Sequence, residues 1–293
     1  MLADELLVMS PLRHPNVILL LGACFDDGCN VGMVLEHAAH GDLLNVLEKS
    51  RGDASFSWDD PLRRMAQDVA RGLAYLHGRH PPVIHRDVKS PNVLVSHTYS
   101  CKLADFGLSR GGGGGDDDDA QKRDAPRSFE PRRQTLVGTP PYMSPELLAG
   151  APGDEASDIY AFGVVLVEMA NRAPPYSTAA DDRVSSVPAL LAAVEAGRRP
   201  AIVGDMPDAI RGVARACLDG DPNARPSAHD AVLSFVSVPA EAPPAGASGD
   251  GDRRRRRSAE RDDATSDALA RNGVPLGSSL WSEEDCAILG SLY

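Results

Sequence analysis

Several things are scarce in this chain, and each shortage removes a class of answer. Cysteine is one: Cys24, Cys29, Cys101, Cys217 and Cys286 are scattered, odd in number and without C-x-x-C spacing. That set supplies neither a disulfide framework nor a zinc site, and it fits a reducing compartment. Positive charge is also short, with 30 Lys and Arg against 42 Asp and Glu and a formal net charge of −12. Such a balance argues against nucleic acid or an anionic membrane as the partner of the whole chain. Long apolar runs are missing, since "VILLLGACF" and "AFGVVLVEMA" are too short to span a bilayer. The opening "MLADE" is acidic where a secretory signal would be basic. The expectation is therefore a soluble cytoplasmic protein with no membrane partner.

Hydrophobic periodicity is absent from two stretches. Residues 109–136 hold "GGGGGDDDD" and "QKRDAPRSFEPRRQ", and residues 239–293 form a Pro/Gly/Ala-rich, charge-patterned tail. Glycine and like charges bury too little to offset the entropy of ordering, so both are expected to be disordered. The run Arg253–Arg257 in that tail reads either as a nuclear-import patch or, more plainly, as a solvated charge run. The last segment, "WSEEDCAILGSLY", is an amphipathic end piece that supports no DNA-binding claim.

What remains, residues 1–238, is rich in core-forming patterns. Residues 1–12 read as a helix with Leu2, Leu6, Leu7 and Met9 on one face. "NVILLLGACF" and "VGMVLEH" read as two strands joined by the turn-rich "DDGCN". "GDLLNVLEKS" is a short helix. "DDPLRRMAQDVARGLAYLH" is a longer one, with Asp59 or Asp60 as cap and Pro61 at its first position. Short strands follow at "NVLV" and "CKLAD". "SDIYAFGVVLVEMA" is apolar nearly all round and predicts a central buried helix, while the helices after it are amphipathic and peripheral.

The stretch "VIHRDVKSPNVLV" (83–95) breaks this pattern: Arg86, Asp87, Lys89 and Asn92 sit between two apolar runs. Charges among core strands are costly unless they are paired, bind something or do chemistry. "DFG" follows at 105–107 and "GTPPYMSPE" at 138–146. In this order, with "LRHPNVILLLGAC" before them and "SDIYAFG" and "DPNARPS" after, these motifs resemble a protein kinase domain. The details, lysine two residues after Asp87 and Thr139 in "GTPPY", are similar to serine/threonine kinases of the tyrosine-kinase-like (Raf-like and mixed-lineage) group.

The resemblance implies an α+β, two-lobed fold: a small-lobe remnant at 1–37, a helical lobe at 38–238, and a long activation segment at 105–146. It implies ATP and Mg²⁺ as cofactors and serine or threonine hydroxyls of protein substrates as acceptors. Asp87 would orient the acceptor hydroxyl and take its proton, Lys89 and Thr139 would assist, and Asn92 and Asp105 would hold the metal. Leu35 would be the gatekeeper, and Glu36, His37 and Ala38 the segment whose backbone meets adenine. His85 and Phe106 would be internal packing against Met9, and Gly107 a structural residue of the same motif. Asp158 would support the catalytic-loop backbone, and Glu146 would pair with Arg225. Arg86 would read a phosphate placed on the activation segment by an upstream kinase, at Thr135 first and Ser128 second. The plainer reading of Thr135 is a solvated loop residue.

One more shortage bears on activity. Glu5 matches the helix glutamate that pairs with a strand lysine, expected upstream together with a glycine-rich phosphate loop. The "GGGGG" at 111–115 follows the DFG motif and precedes no helix, so it is an insert and no phosphate cradle. The chain as written is expected to carry a marginal two-stranded hairpin and to bind ATP poorly. Either it is an incomplete product of a full kinase or it is a non-catalytic interaction module.

Overall fold

The computed structural model describes residues 2–25, 31–107, 109–111, 138–181 and 186–236, all within the unit Met1–Pro239. Ser128, Thr135, most of the glycine-aspartate insert and the whole tail, including Arg253–Arg257, lie outside the described residues.

The first helix, α1 (Leu2–Met9), buries Leu6 and Met9 but leaves Leu7 more than half exposed. Leu7 was expected on the buried face. Leu6 and Met9 are one helical turn apart, and Leu7 falls about 100° round from Leu6. Strands β1 (Leu20–Phe25) and β2 (Val31–Leu35) then form an antiparallel hairpin, with Leu20 opposite Leu35 and Cys24 opposite Gly32. This is the predicted two-stranded sheet, and Leu21 and Val34 stay exposed on it.

A second sheet has the order β3 (Gly41–Asp42), β5 (Val93–Val95), β6 (Cys101–Leu103). It is stitched to the approach of the hairpin: Ile18 N–H donates to the Leu103 carbonyl (2.8 Å) and Leu103 N–H to the Asn16 carbonyl (3.0 Å). Strand β4 (Val83–Ile84) pairs with β7 (Arg110–Gly111), so the first residues of the stretch without periodicity are ordered against the approach to Arg86.

Helix α2 (Leu43–Lys49) is capped by Asp42, whose carboxylate accepts the Asn45 N–H at 2.9 Å. Helix α3 (Leu62–His77) starts differently from the expectation. Pro61 is its N-cap residue, after a cis Asp60–Pro61 bond, and no side chain caps it. The Ser57 carbonyl takes the Leu62 N–H (3.0 Å), and Asp60 instead faces Arg64 at 3.6 Å. The face Leu62, Met65, Ala66, Val69, Leu73 and Leu76 is buried as its spacing predicts.

Gly72 on that helix sets how closely α3 approaches the small lobe. A Cβ there would lie 2.6 Å from the Asn16 carbonyl oxygen and 2.8 Å from Leu103 Cδ1. Backbone on one side and a packed leucine on the other cannot both withdraw. Gly72→Ala is expected to cost about 1–3 kcal/mol as overpacking, read by urea unfolding.

The helical part is completed by α4 (Pro145–Leu148), α5 (Glu155–Asn171), α6 (Val187–Glu195), α7 (Asp208–Cys217) and α8 (Ala228–Val236). Helix α5 is buried continuously from Ser157 to Ala170, and a reciprocal Asp154–Ser157 capping box fixes its start. Helix α5 packs on α3 and α7 and is buried along most of its length, so it is the central helix predicted from its apolar run; α3 packs in turn on α8 and β6. Among the described residues no helix is long and apolar enough to cross a membrane.

Candidate active site

The loop between β4 and β5 is held from below by α5. Asp158, buried near the N-terminus of that helix, accepts the His85 N–H through Oδ2 and the Arg86 N–H through Oδ1, both at 2.8 Å. Its Oδ2 also meets His77 Nε2 at 3.0 Å. Two backbone donors on one carboxylate fix the turn at Arg86, whose φ of 68° a side chain rarely adopts. His85 is fully buried: Nε2 faces the Ala104 carbonyl at 3.1 Å, and Nδ1 takes the Asp87 N–H at 3.4 Å. Burial holds the His85 pKa below its ordinary value. A neutral ring with Nε2 as donor and Nδ1 as acceptor satisfies both contacts. The ring packs against Phe106 at 5.0 Å, as expected for that pair, and Phe106 and Met9 are both buried in the core.

This scaffold presents Asp87. Thr139 Oγ1 donates to its Oδ1 at 2.9 Å, while Lys89 Nζ (2.5 Å) and Asn92 Nδ2 (2.9 Å) donate to Oδ2. Lys89 Nζ also donates to Thr139 Oγ1 at 2.9 Å, closing a ring of three groups from two distant segments. Asn92 Nδ2 further bonds the Asp87 carbonyl at 2.9 Å, so the loop is braced on itself. The arrangement offers an acceptor carboxylate beside a cation and a hydroxyl, which suits taking a proton from an alcohol.

Asp105 stands next to this group. The Ala104 N–H donates to the Asn92 carbonyl (2.9 Å), which joins the two segments at their backbones. Asp105 is exposed, with φ 62°, and its Oδ1 accepts the Gly107 N–H at 3.4 Å. The Asn92 amide oxygen and the Asp105 carboxylate are hard oxygen donors, and among the described residues no group of three His, Cys, Asp or Glu could hold a metal. Two protein oxygens completed by phosphate and water suit magnesium and do not suit zinc.

Glu5 of α1 reaches the same corner, where its Oε1 accepts the Phe106 N–H at 3.2 Å. Burial, reinforced by the nearby Asp105 charge, raises its pKa against the effect of that hydrogen bond. The remaining predicted residues separate into two groups. Leu35 is half-buried at the end of β2, packed against the core. The Glu36 carboxylate turns to structure, accepting Leu19 N–H (2.8 Å) and Lys102 Nζ (2.9 Å). His37 is exposed and Ala38 half-buried on the segment leading to β3. Arg225 grips Glu146 through both nitrogens, at 2.6 and 2.7 Å, as predicted.

Three residues that the sequence did not single out knit the site from beneath. Glu168 of α5 is fully buried, and its Oε1 accepts Tyr142 Oη at 2.8 Å and Ser90 Oγ at 3.0 Å. Ser90 adjoins Lys89, and Tyr142 lies three residues beyond Thr139, so one carboxyl ties both segments of the Asp87 ring. The available signal was a lone acid inside the apolar "AFGVVLVEMA". Oε2 of Glu168 is buried with no hydrogen bond among the described residues, and burial pushes its pKa up to about 7 despite the two hydroxyl donors. Because the folded value lies above the ordinary 4.5, the folded state holds a proton that the unfolded chain releases. The resulting stability is fully present below about 4.5 and lost as pH rises through about 7. Glu168→Gln cannot titrate. Its unfolding free energy relative to wild type is expected to gain about 3 kcal/mol between pH 4.5 and 8.5, read by urea titrations at both. A pH-independent difference would show that burial does not raise the Glu168 pKa above its unfolded value.

Comparison with known proteins agrees with this geometry. The protein kinase domain profile matches residues 1–235. Serine/threonine-protein kinase CTR1 of Arabidopsis thaliana is 40% identical over 174 residues, covering 59% of this chain and 19% of that protein. The "Probable serine/threonine-protein kinase drkC" of Dictyostelium discoideum is 34% identical over 241 residues, 81% of this chain and 29% of that protein. The chain thus spans less than a third of the length of these two relatives.

Proposed function

The chain belongs to the protein kinase domain family, and from that premise we propose that it transfers the γ-phosphoryl group of ATP to serine and threonine hydroxyls of proteins. The observation that carries this reading is the Asp87 carboxylate held between Lys89, Thr139 and Asn92. In this reading an acceptor hydroxyl displaces the Thr139 or Lys89 contact and gives its proton to Asp87 as its oxygen attacks the γ-phosphorus, whose bond to the bridging oxygen breaks and releases ADP. Lys89 faces the negative charge that develops on the transferring group. Asn92 and Asp105 would hold magnesium, which when bound would supply positive charge to neutralise the phosphate oxygens. Leu35 closes the back of the nucleotide site, and the backbone of residues 36–38 meets adenine. The motif details favour the tyrosine-kinase-like group; the scattered cysteines fit a cytoplasmic setting, and Arg253–Arg257 would give access to the nucleus. Arg86 answers a phosphate placed on Thr135 by an upstream kinase.

The test is incubation with γ-labelled ATP, magnesium and dephosphorylated casein, followed by phosphoamino-acid analysis. Phosphoserine and phosphothreonine that vanish with chelator support the reading. Phosphotyrosine alone would reassign the acceptor. Label no higher than in Asp87→Asn, together with no magnesium-dependent ATP binding, would leave a non-catalytic interaction module.

A further inference from the structure

Side chains from four separate segments stack into a column that begins just after the residue 36–38 segment. His40 lies face to face on Tyr99, with centroids 4.4 Å apart and planes at 10°. Tyr99 stands edge-on to Phe56 at 5.6 Å and 72°. The Arg172 guanidinium covers the Phe56 ring, 5.3 Å from its centroid. His40 follows the adenine-facing segment by two residues, Tyr99 turns between β5 and β6, Phe56 lies between α2 and α3, and Arg172 caps the C-terminus of α5.

Backbone strain marks the same place. Among the described residues five other than glycine have positive φ: Arg86, Tyr99, Asp105, Arg172 and Tyr176. Arg86 and Asp105 belong to the site already described. Tyr99 (59°) and Arg172 (52°) both belong to the column. Left-handed backbone costs a residue with a Cβ about 1–2 kcal/mol and persists only where surroundings over-determine it. Here they do. Arg172 donates through Nη1 to the Ser50 carbonyl (2.5 Å) and Ser50 Oγ (3.2 Å) and through Nη2 to the Phe56 carbonyl. Its own carbonyl accepts Arg51 Nε at 2.6 Å. At the other end the His40 N–H donates to the Val95 carbonyl (3.0 Å) and the Gly41 N–H returns to the Ala38 carbonyl (3.1 Å).

We infer that this column positions the adenine-facing segment: it fixes the exit of residues 36–38 to β5 and to the C-terminal cap of α5. Helix α5 also holds Asp158 and Glu168, so the column sets the nucleotide segment against the helix that carries the catalytic loop. His40, Tyr99, Phe56 and Arg172 are positioning residues; none of them touches the reacting atoms. What residues 36–38 contact rests on the kinase reading; the mechanical tie does not.

Three variants separate the column from ordinary packing. Tyr99→Phe keeps the ring and Tyr99→Leu removes it. Arg172→Gly removes the guanidinium while relieving the φ of 52° that only glycine adopts freely. Tyr99→Leu is expected to speed amide exchange at His40 and Gly41 about tenfold. Tyr99→Leu and Arg172→Gly should each raise KM for magnesium-ATP about fivefold with kcat within about twofold, and Tyr99→Phe should match wild type. Unchanged exchange at Gly41 in Tyr99→Leu, or an unchanged KM in both Tyr99→Leu and Arg172→Gly, overturns the inference. A wild-type chain that binds no magnesium-ATP defeats the kinase reading instead, and the exchange comparison then decides the tie by itself.

Discussion

Asp87→Asn is expected to lower phosphoryl transfer by about 10²–10⁴-fold while leaving the fold in place. The loss follows from acidity alone, because an amide oxygen cannot hold the hydroxyl's proton as a carboxylate does. The fold survives because the substitution is nearly isosteric and its hydrogen bonds can be redrawn. An asparagine amide oxygen can accept from Lys89 and Asn92, as Asp87 Oδ2 now does, while its nitrogen donates to Thr139 Oγ1 where Oδ1 now accepts. The backbone ties of the loop, His85 and Arg86 to Asp158, do not involve the Asp87 carboxylate at all. Thermal unfolding within a few degrees of wild type, beside a near-complete loss of labelled phosphate, is the expected pair of results. Full turnover in this variant would remove Asp87 from the mechanism. A collapse of the fold would show instead that its carboxylate is chiefly a structural anchor.

The parts of this site that could be read from the sequence are those whose residue types are wrong for their surroundings. Charges at Arg86, Asp87 and Lys89 stand out between apolar runs, and Asp158 opens an apolar helix, so each demands an explanation before any coordinate is known. The Glu146–Arg225 pair was readable because motif order placed both. Glu168 shows the limit. An acid inside an apolar helix is equally anomalous, but nothing local says that its hydroxyl partners lie 26 and 78 residues away, at Tyr142 and Ser90.

Element boundaries fail for a related reason. Asp59 and Asp60 have the right chemistry to cap α3, but the Ser57 carbonyl reaches the Leu62 N–H first. The same competition explains β7: residues 109–111 carry no strand signal and are ordered by β4, a partner that only the fold supplies. The column of His40, Tyr99, Phe56 and Arg172 was invisible for a further reason. Left-handed φ at a tyrosine and an arginine contradicts their propensities and is enforced wholly by tertiary contacts.

Arg225→Ala should destabilise the protein by about 3–5 kcal/mol, the range for breaking a buried ion pair from one side. The Arg225 side chain has no exposed surface. Besides Glu146, it bonds the Asp219 carbonyl through Nε (2.9 Å) and the Ala156 carbonyl through Nη1 (2.9 Å), and it covers the Tyr160 ring at 5.1 Å. Alanine strands two carbonyls and a carboxylate and opens a void against a buried ring. Burial opposes the Glu146 charge, but hydrogen bonds from Arg225, Ser144 and the backbone, together with the guanidinium's charge, outweigh it and hold the carboxyl below its ordinary 4.5. A lowered folded pKa stabilises above the unfolded value and loses that contribution as pH falls through the folded one. The gap between wild type and Arg225→Ala should therefore be full at pH 7 and narrow on acidification below about 4.5. Arg225→Met with Glu146→Met, which removes both charges and refills the space, should recover part of the loss. If the double variant is no better than Arg225→Ala, the cost lies in the stranded Asp219 and Ala156 carbonyls. Urea unfolding of the three proteins at pH 4 and 7 decides between the two. The charge reading predicts a pH-dependent gap for Arg225→Ala that the methionine pair narrows at pH 7, and the carbonyl reading predicts one that neither pH nor methionine moves.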